Sequence, residues 1–175
     1  QYREENQFEA LFKERFSSLC NYAYKLLSDQ QMAEDSVQQV FAKLWEKREN
    51  ITIDTSIKSY LYRATYNTCM NELNRNKKIF ELEPKHVERK VSESADERTR
   101  MMDLEKQINS ALKALPEKCR AVFVMSRYEH MKYKEIADVM EISIKTVENQ
   151  MGKALKMMRV RLSEFISILL LLFIN

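Results

Sequence analysis

The chain has 175 residues, 45% of them hydrophobic, and a net charge of +3, enough apolar content to fill one ordinary domain or two small ones. Gly152 is its only glycine, against roughly 7% in average proteins. Phosphate-cradling loops and dinucleotide fingerprints need several glycines at fixed spacing, so both are excluded. Three scattered cysteines (Cys20, Cys69, Cys119), no CxxC and only two histidines (His86, His130) argue against a zinc cluster. The thiols read as buried small hydrophobes in a reducing cytosol.

Phe8, Leu11, Phe12, Phe16 and Leu19 recur at helical spacing and continue towards Leu26, which predicts a first amphipathic helix. No secretory leader is read ahead of it. Ser28 with Gln31 three residues on resembles a capping box and opens a second helix with the stripe Ala33, Val37, Val40, Phe41 and Leu44, with Trp45 beside it. A third helix starts near Ser56, carries Ile57, Leu61 and Ala64, and ends in the basic cluster Arg75, Lys77 and Lys78. Tyr60, Tyr62 and Tyr66 interleave there with Arg63 and Arg75, offering stacking faces beside cations of the kind single-stranded DNA favours. Asn67 and Asn71 on the same segment can hydrogen-bond the edge of a flipped base.

From Ile79 to Met102 the apolar period fails. The stretch is charged, contains Pro84, and reads as a linker. Periodicity resumes with Leu104, Ile108, Ala111, Leu112 and Leu115, and Pro116 suits the first turn of a further helix through Val122 and Met125. With few glycines for hairpins and two prolines in all, the chain reads as all-α. It divides into two small helical domains, 1–78 and 103–175, joined by the charged linker 79–102.

The segment KEIADVMEISIKTVENQ, Lys134 to Gln150, has the spacing of two short helices around a tight turn, a helix-turn-helix. Ser143 is a good N-cap. The helix it opens has the apolar stripe Ile144, Val147, Met151, Ala154, Leu155, Met158 and Leu162. Lys145, Thr146, Asn149, Lys153 and Lys156 project from the other side. Between Lys145 and Arg161 five basic residues stand against one acid, Glu148, a local charge of +4. A buried stripe with a basic outer face fits a recognition helix. Gly152 costs about 1 kcal/mol against alanine in mid-helix, and on the polar face it permits close approach of a DNA backbone. Five phosphate-facing cations give a log–log salt slope of roughly −4 to −5. A reader this modest gains from being tethered to a larger partner.

Three blocks, AEDSVQQVFAKLWEKR (Ala33 to Arg48), SIKSYLYRATYNTCMNELNRNKK (Ser56 to Lys78) and LPEKCRAVFVMSRYEHMKYKEIADVMEISIKTVENQMGKALKMMR (Leu115 to Arg159), together resemble the extracytoplasmic-function sigma factors of bacterial RNA polymerase. The resemblance runs from about Phe8 to Leu162, in order and around a linker. It implies that Asp35, Gln38, Gln39, Phe41, Leu44 and Trp45 dock on the coiled coil of the polymerase's largest subunit. Tyr60, Arg63, Asn67, Asn71 and Arg75 match the segment that opens and reads the promoter −10 element, with Lys77 and Lys78 completing the basic end. Glu148, Asn149, Gly152 and Lys153 match positions reading the −35 element, and Lys145, Thr146 and Lys156 share their face. Two elements two DNA turns apart lie about 70 Å from one another, and a 24-residue linker reaches about 80 Å when extended.

The chain departs from the family pattern at Tyr66, Thr68 and Asn74, where relatives often carry basic residues. Glu141 stands in the turn where glycine is common, and Lys132 replaces a Ser or Thr cap. The implied partners are core RNA polymerase, promoter DNA and an anti-sigma factor, in the cytoplasm. No catalytic constellation, metal, cofactor or small-molecule substrate is read from the sequence. The alternative is a stand-alone helix-turn-helix regulator. It would need a receiver or dimerisation domain, and residues 1–78 lack the alternating strands of a receiver. The apolar tail FISILLLLFI, Phe165 to Ile174, spans only ~15 Å as a helix, half of a ~30 Å hydrocarbon core. The protein is therefore not expected to be integral to a membrane, and the tail is expected to continue the recognition helix and be covered by protein.

Overall fold

The computed structural model describes residues 2–48, 56–82 and 99–174, and every regular element among them is an α-helix. In chain order they are α1 (Tyr2–Leu27), α2 (Gln30–Lys47), α3 (Ile57–Leu82), α4 (Thr99–Lys113), α5 (Glu117–Arg127), α6 (Tyr133–Met140) and α7 (Ile144–Ile174). Helix α3 runs on to Leu82 and α4 begins at Thr99, so the segment expected to be a linker carries helix at both ends. Its middle, 83–98, lies outside the described residues.

α1, α2 and α3 pack on one another as the first half of the molecule. Their inward faces follow the predicted stripes: Leu19, Leu26, Val37, Phe41 and Leu61 are all buried. In the second half α5, α6 and α4 lean on α7, which runs 31 residues, ~46 Å. Its buried residues are Val147, Met151, Ala154 and Met158, the centre of the predicted stripe. Ile144 and Leu155 are 46% and 40% exposed. Ile144 sits at the overhanging end of the helix. Leu155 is turned about 100° round the axis from Ala154, beyond the width of the seam. Leu104 is likewise exposed near the start of α4.

The helix ends show how a chain with one glycine turns corners. α1, α5 and α6 are followed by Ser28, His130 and Glu141, all at positive φ (57°, 53° and 55°), the left-handed region where a side chain costs about 1–2 kcal/mol. The α2 cap lies one residue beyond the expected Ser28. Asp29 accepts a 3.0 Å bond from the Met32 N–H, because Ser28 is used to break α1 and is not extended as an N-cap must be. Pro116 is the N-cap of α5, not its first residue. The cysteines are buried and free. Burial pushes the Cys20 thiol up to about 11 and the Cys69 thiol up to about 12, which keeps them protonated and unreactive.

The two halves are not separate beads. α1 touches α4 and α5, and α3 touches α6. Arg120, only 8% exposed, donates to the Leu26 carbonyl at 2.6 Å, at the end of α1. It also donates to the Lys113 and Leu115 carbonyls at 2.8 and 3.2 Å, at the end of α4. One guanidinium thus collects the unpaired carbonyls of two helix C-termini, where a cation is favoured.

Candidate nucleic-acid and polymerase interfaces

α2 offers three polar side chains and one aromatic edge. Asp35, Gln38 and Gln39 are exposed, and Gln31 donates to Asp35 at 3.0 Å. Phe41 and Leu44 are buried, so they support the face more than they present it. Trp45 is half-buried, its ring 4.8 Å from Phe8 and under the Arg48 guanidinium at 4.2 Å. Phe8, Phe12, Gln38, Phe41, Ala42 and Trp45 line an open groove of about 350 Å³. From the sequence, Phe8 and Phe12 read only as part of a helix stripe. Their density on α1 was the available sign that the groove would be walled by aromatics.

α3 opens with Ser56, whose hydroxyl accepts from the Ser59 N–H at 3.1 Å. Asn67, Asn71, Arg75, Lys77 and Lys78 are exposed along it, and Tyr60 is half-buried. Tyr62 and Tyr66 are 2% and 9% exposed, so in this arrangement they are core and present no stacking face. Tyr62 meets Tyr22 edge-on at 5.2 Å and donates its hydroxyl to the Glu129 carboxylate. Burial first, and then that hydrogen bond, pushes the Tyr62 phenol upwards. Burial and the nearby Glu117 charge act the same way on Tyr66. Arg63 reaches across to α6, donating to the Asp138 carbonyl and pairing with Glu141 at 3.1 Å. Lys77 pairs with Glu117 at 2.6 Å. Among the Arg63, Asn67, Asn71, Arg75, Lys77 and Lys78 side chains, two therefore contact the second half.

α6 and α7 form the helix-turn-helix. Lys132 caps α6 without a side-chain acceptor, and the Lys132 N–H instead donates to Glu135 at 2.7 Å, half of a reciprocal capping box. Glu141 supplies the left-handed turn. Ser143 is the expected N-cap, accepting from the Thr146 N–H at 3.1 Å. Lys145, Glu148, Asn149, Gly152, Lys153 and Lys156 are exposed and Thr146 half-exposed. Lys145 pairs with Glu148 at 3.3 Å. A Cβ built on Gly152 would meet nothing within 4 Å, so the glycine is not demanded by internal packing. The side chains of the tail, from 164 onwards, lie outside the described residues. Among the described residues no helix is long and apolar enough to cross a membrane.

Residues 11–79 match the Sigma-70 region 2 family model and residues 105–158 the Sigma-70 region 4 model. The chain is 27% identical over 142 residues to the RNA polymerase sigma factor SigV of Bacillus subtilis, covering 81% of this chain and 82% of that one. It is 29% identical over 135 residues to the sigma factor SigZ of the same organism, covering 77% and 75%. Its fold is similar to the sigma factor RpoE solved with the anti-sigma factor NepR from Bartonella quintana. There the TM-score is 0.74 at 18% identity, over 90% of this chain and 97% of that one. It is also similar to CnrH solved with the cytosolic domain of CnrY, with a TM-score of 0.69 at 21% identity, over 91% and 90%.

Proposed function

The chain belongs to the extracytoplasmic-function sigma factors of RNA polymerase, and from that premise we propose how its two halves divide the work of promoter-specific initiation. The first half binds core polymerase through α2, with Asp35, Gln38 and Gln39 as polar contacts. The groove beside Trp45 receives apolar side chains. α3 binds the opened −10 strand, with Tyr60, Arg63, Asn67, Asn71 and Arg75 reading it and Lys77 and Lys78 on phosphates. The second half sets α7 in the major groove of the −35 element, with Asn149 and Lys153 towards the bases, Lys145 and Lys156 towards the backbone, and Gly152 leaving room between. Polymerase supplies the chemistry. This protein supplies the address, in the cytoplasm, and an anti-sigma factor is its natural inhibitor.

The observation that carries this reading is the order of parts on one chain: a polymerase-docking half, then a helix-turn-helix whose polar face is open. The modest charge of the second reader agrees. With about five cations on phosphates, DNA binding weakens steeply with salt, and tethering to polymerase raises the effective concentration. Incubation with core polymerase followed by run-off transcription on genomic fragments tests it. Specific transcripts absent from core alone are expected. None at any fragment, with core binding intact, would refute it.

A further inference from the structure

α1 and α4 end close together, and Arg120 pins the two ends. Its guanidinium takes the Leu26 carbonyl, next to Lys25, at 2.6 Å and the Lys113 carbonyl at 2.8 Å. Between the helices lies a cavity of about 410 Å³. Tyr24 and Lys25 of α1, with Ser28 just beyond it, line the cavity together with Lys106, Asn109 and Lys113 of α4. No carboxylate is among its lining residues. Glu105 acts on Tyr128 and Asp29 caps α2, and neither lines the cavity. The Lys25 ammonium stands 4.1 Å from the centre of the Tyr128 ring, a contact that holds a cation without neutralising it. Lys106 and Lys113 lie two turns apart on one face of α4, ~10.5 Å along the axis. A lysine in the last turn of α1 and another in that of α4 each suit a helix C-terminus. That accounts for Lys25 and Lys113 one at a time. It leaves unexplained why three lysines converge on one cavity when Arg120 already serves the carbonyls. Each helix end carries about −0.5 of a charge, far less than Arg120 and the three lysines together.

We propose that this cavity binds a small molecule carrying two or three linked phosphates, free or on a nucleoside. Lysine binds phosphate as a point charge, and three of them meet several negative charges on one ligand. The Tyr24 and Ser28 hydroxyls and the Asn109 amide donate to further phosphate oxygens. The volume falls within the roughly 300–1,000 Å³ of small-molecule sites. A concave site between helix ends suits a compact ligand, whereas a duplex lays its phosphates along a convex rod. The site uses none of the side chains proposed to meet polymerase or promoter. Its walls come from both halves, so the ligand binds the folded chain and not the unfolded one, and stabilises it by mass action.

The test uses the full chain and sodium tripolyphosphate, in magnesium-free buffer at constant ionic strength. Isothermal titration calorimetry should show saturable binding at one site per chain, and the melting temperature should climb with tripolyphosphate concentration. Sodium chloride at the same ionic strength should not reproduce that rise. Lys25→Gln with Lys113→Gln should weaken binding about tenfold or more, since one charge-assisted hydrogen bond is worth about that factor. Lys106→Gln, at an exposed position, gives a second reading of the same sign should the pair fail to fold. Lys43→Gln with Lys134→Gln removes the same charge from residues outside the cavity and should leave binding as in wild type. Adenosine triphosphate tells the two sources apart: tighter binding than tripolyphosphate assigns a nucleotide, equal or weaker binding a plain oligophosphate. Non-saturable binding overturns the proposal, as does wild-type affinity in the cavity variants or an equal loss in the Lys43 and Lys134 variant. It is also overturned if a mixed-sequence DNA duplex binds more tightly than tripolyphosphate and loses that affinity in the Lys25 and Lys113 variant. The cluster would then be a nucleic-acid patch.

Discussion

α3 and α7 are both helices proposed to read DNA, and they are built differently. α7 buries one narrow stripe, Val147, Met151, Ala154 and Met158, and leaves its polar face to solvent. α3 buries Leu61, Tyr62, Thr65, Tyr66 and Cys69, because α1 and α2 cover one flank and α6 another. A helix with a single packed stripe is free to enter a groove at once. A helix packed on two flanks presents only the side left between them, here Asn67, Asn71, Arg75, Lys77 and Lys78. On the proposed function, duplex reading falls to the first kind and strand capture to the second.

The largest expected effects test whether the two helices are equally structural. Leu61→Ala in α3 and Met151→Ala in α7 each remove a side chain that is 0% or 2% exposed. Each should cost about 2–5 kcal/mol, seen as a lower urea midpoint. A loss below that range at Met151 would mean α7 is held by something other than its stripe. Next comes the bridge between halves. Arg120→Met strands the carbonyls of Leu26, Lys113 and Leu115, and one unpaired buried acceptor already costs roughly 1–3 kcal/mol. A destabilisation of at least that size is expected, with faster hydrogen exchange at the ends of both α1 and α4. Change at α4 alone would show that the cross-half bond contributes nothing.

Function separates the helices next. Lys153→Ala and Asn149→Ala should each weaken −35-dependent transcription by up to about 1–3 kcal/mol, the worth of a good base contact, at unchanged melting temperature. Normal transcription at normal core affinity would retire them as readers. Asn67→Ala should leave −35 binding intact and slow opening. Permanganate reactivity of the open complex decides that, and wild-type opening would remove Asn67 from the set.

The smallest effects sit in the turns. His130→Gly relieves a left-handed side chain and should stabilise the fold by about 1 kcal/mol. Glu141→Gly relieves the same strain but loses the Arg63 pair. That pair is partly solvated, with side chains 35% and 70% exposed, and is worth about 0–1 kcal/mol. Glu141→Gly should therefore stabilise by less than His130→Gly. Equal melting temperatures for the two variants would show that the pair adds no stability.

Residues with a repeating environment were legible in the sequence. The 3.6-residue period of Val37, Val40, Phe41 and Leu44, and of Val147, Met151, Ala154 and Met158, marks buried faces wherever they land. Ser143 is a cap by chemistry and position together. The expected cap Ser28 gives way to Asp29, because two neighbouring residues can both serve and the exit of α1 decides between them. Tyr62 and Tyr66 read as stacking faces because tyrosine between arginines suits either a DNA surface or a core. Packing against Tyr22 of α1 on one side and the second half on the other makes them core. Glu117, Glu129 and Arg120 carried no sequence signal as contacts between halves, since each partner is dozens of residues away.

By itself, then, the sequence determined that the chain is helical, roughly where its helices lie, and which side of each seeks the interior. Those follow from glycine scarcity, capping chemistry and apolar period, all local to a few turns of chain. The tertiary structure alone decided that the two halves close on one another, that carboxylates of one lie over cations of the other, and that one buried guanidinium joins them. Such pairings are long-range: backbone geometry limits where a side chain can reach, but the choice of its partner is made only when distant helices meet.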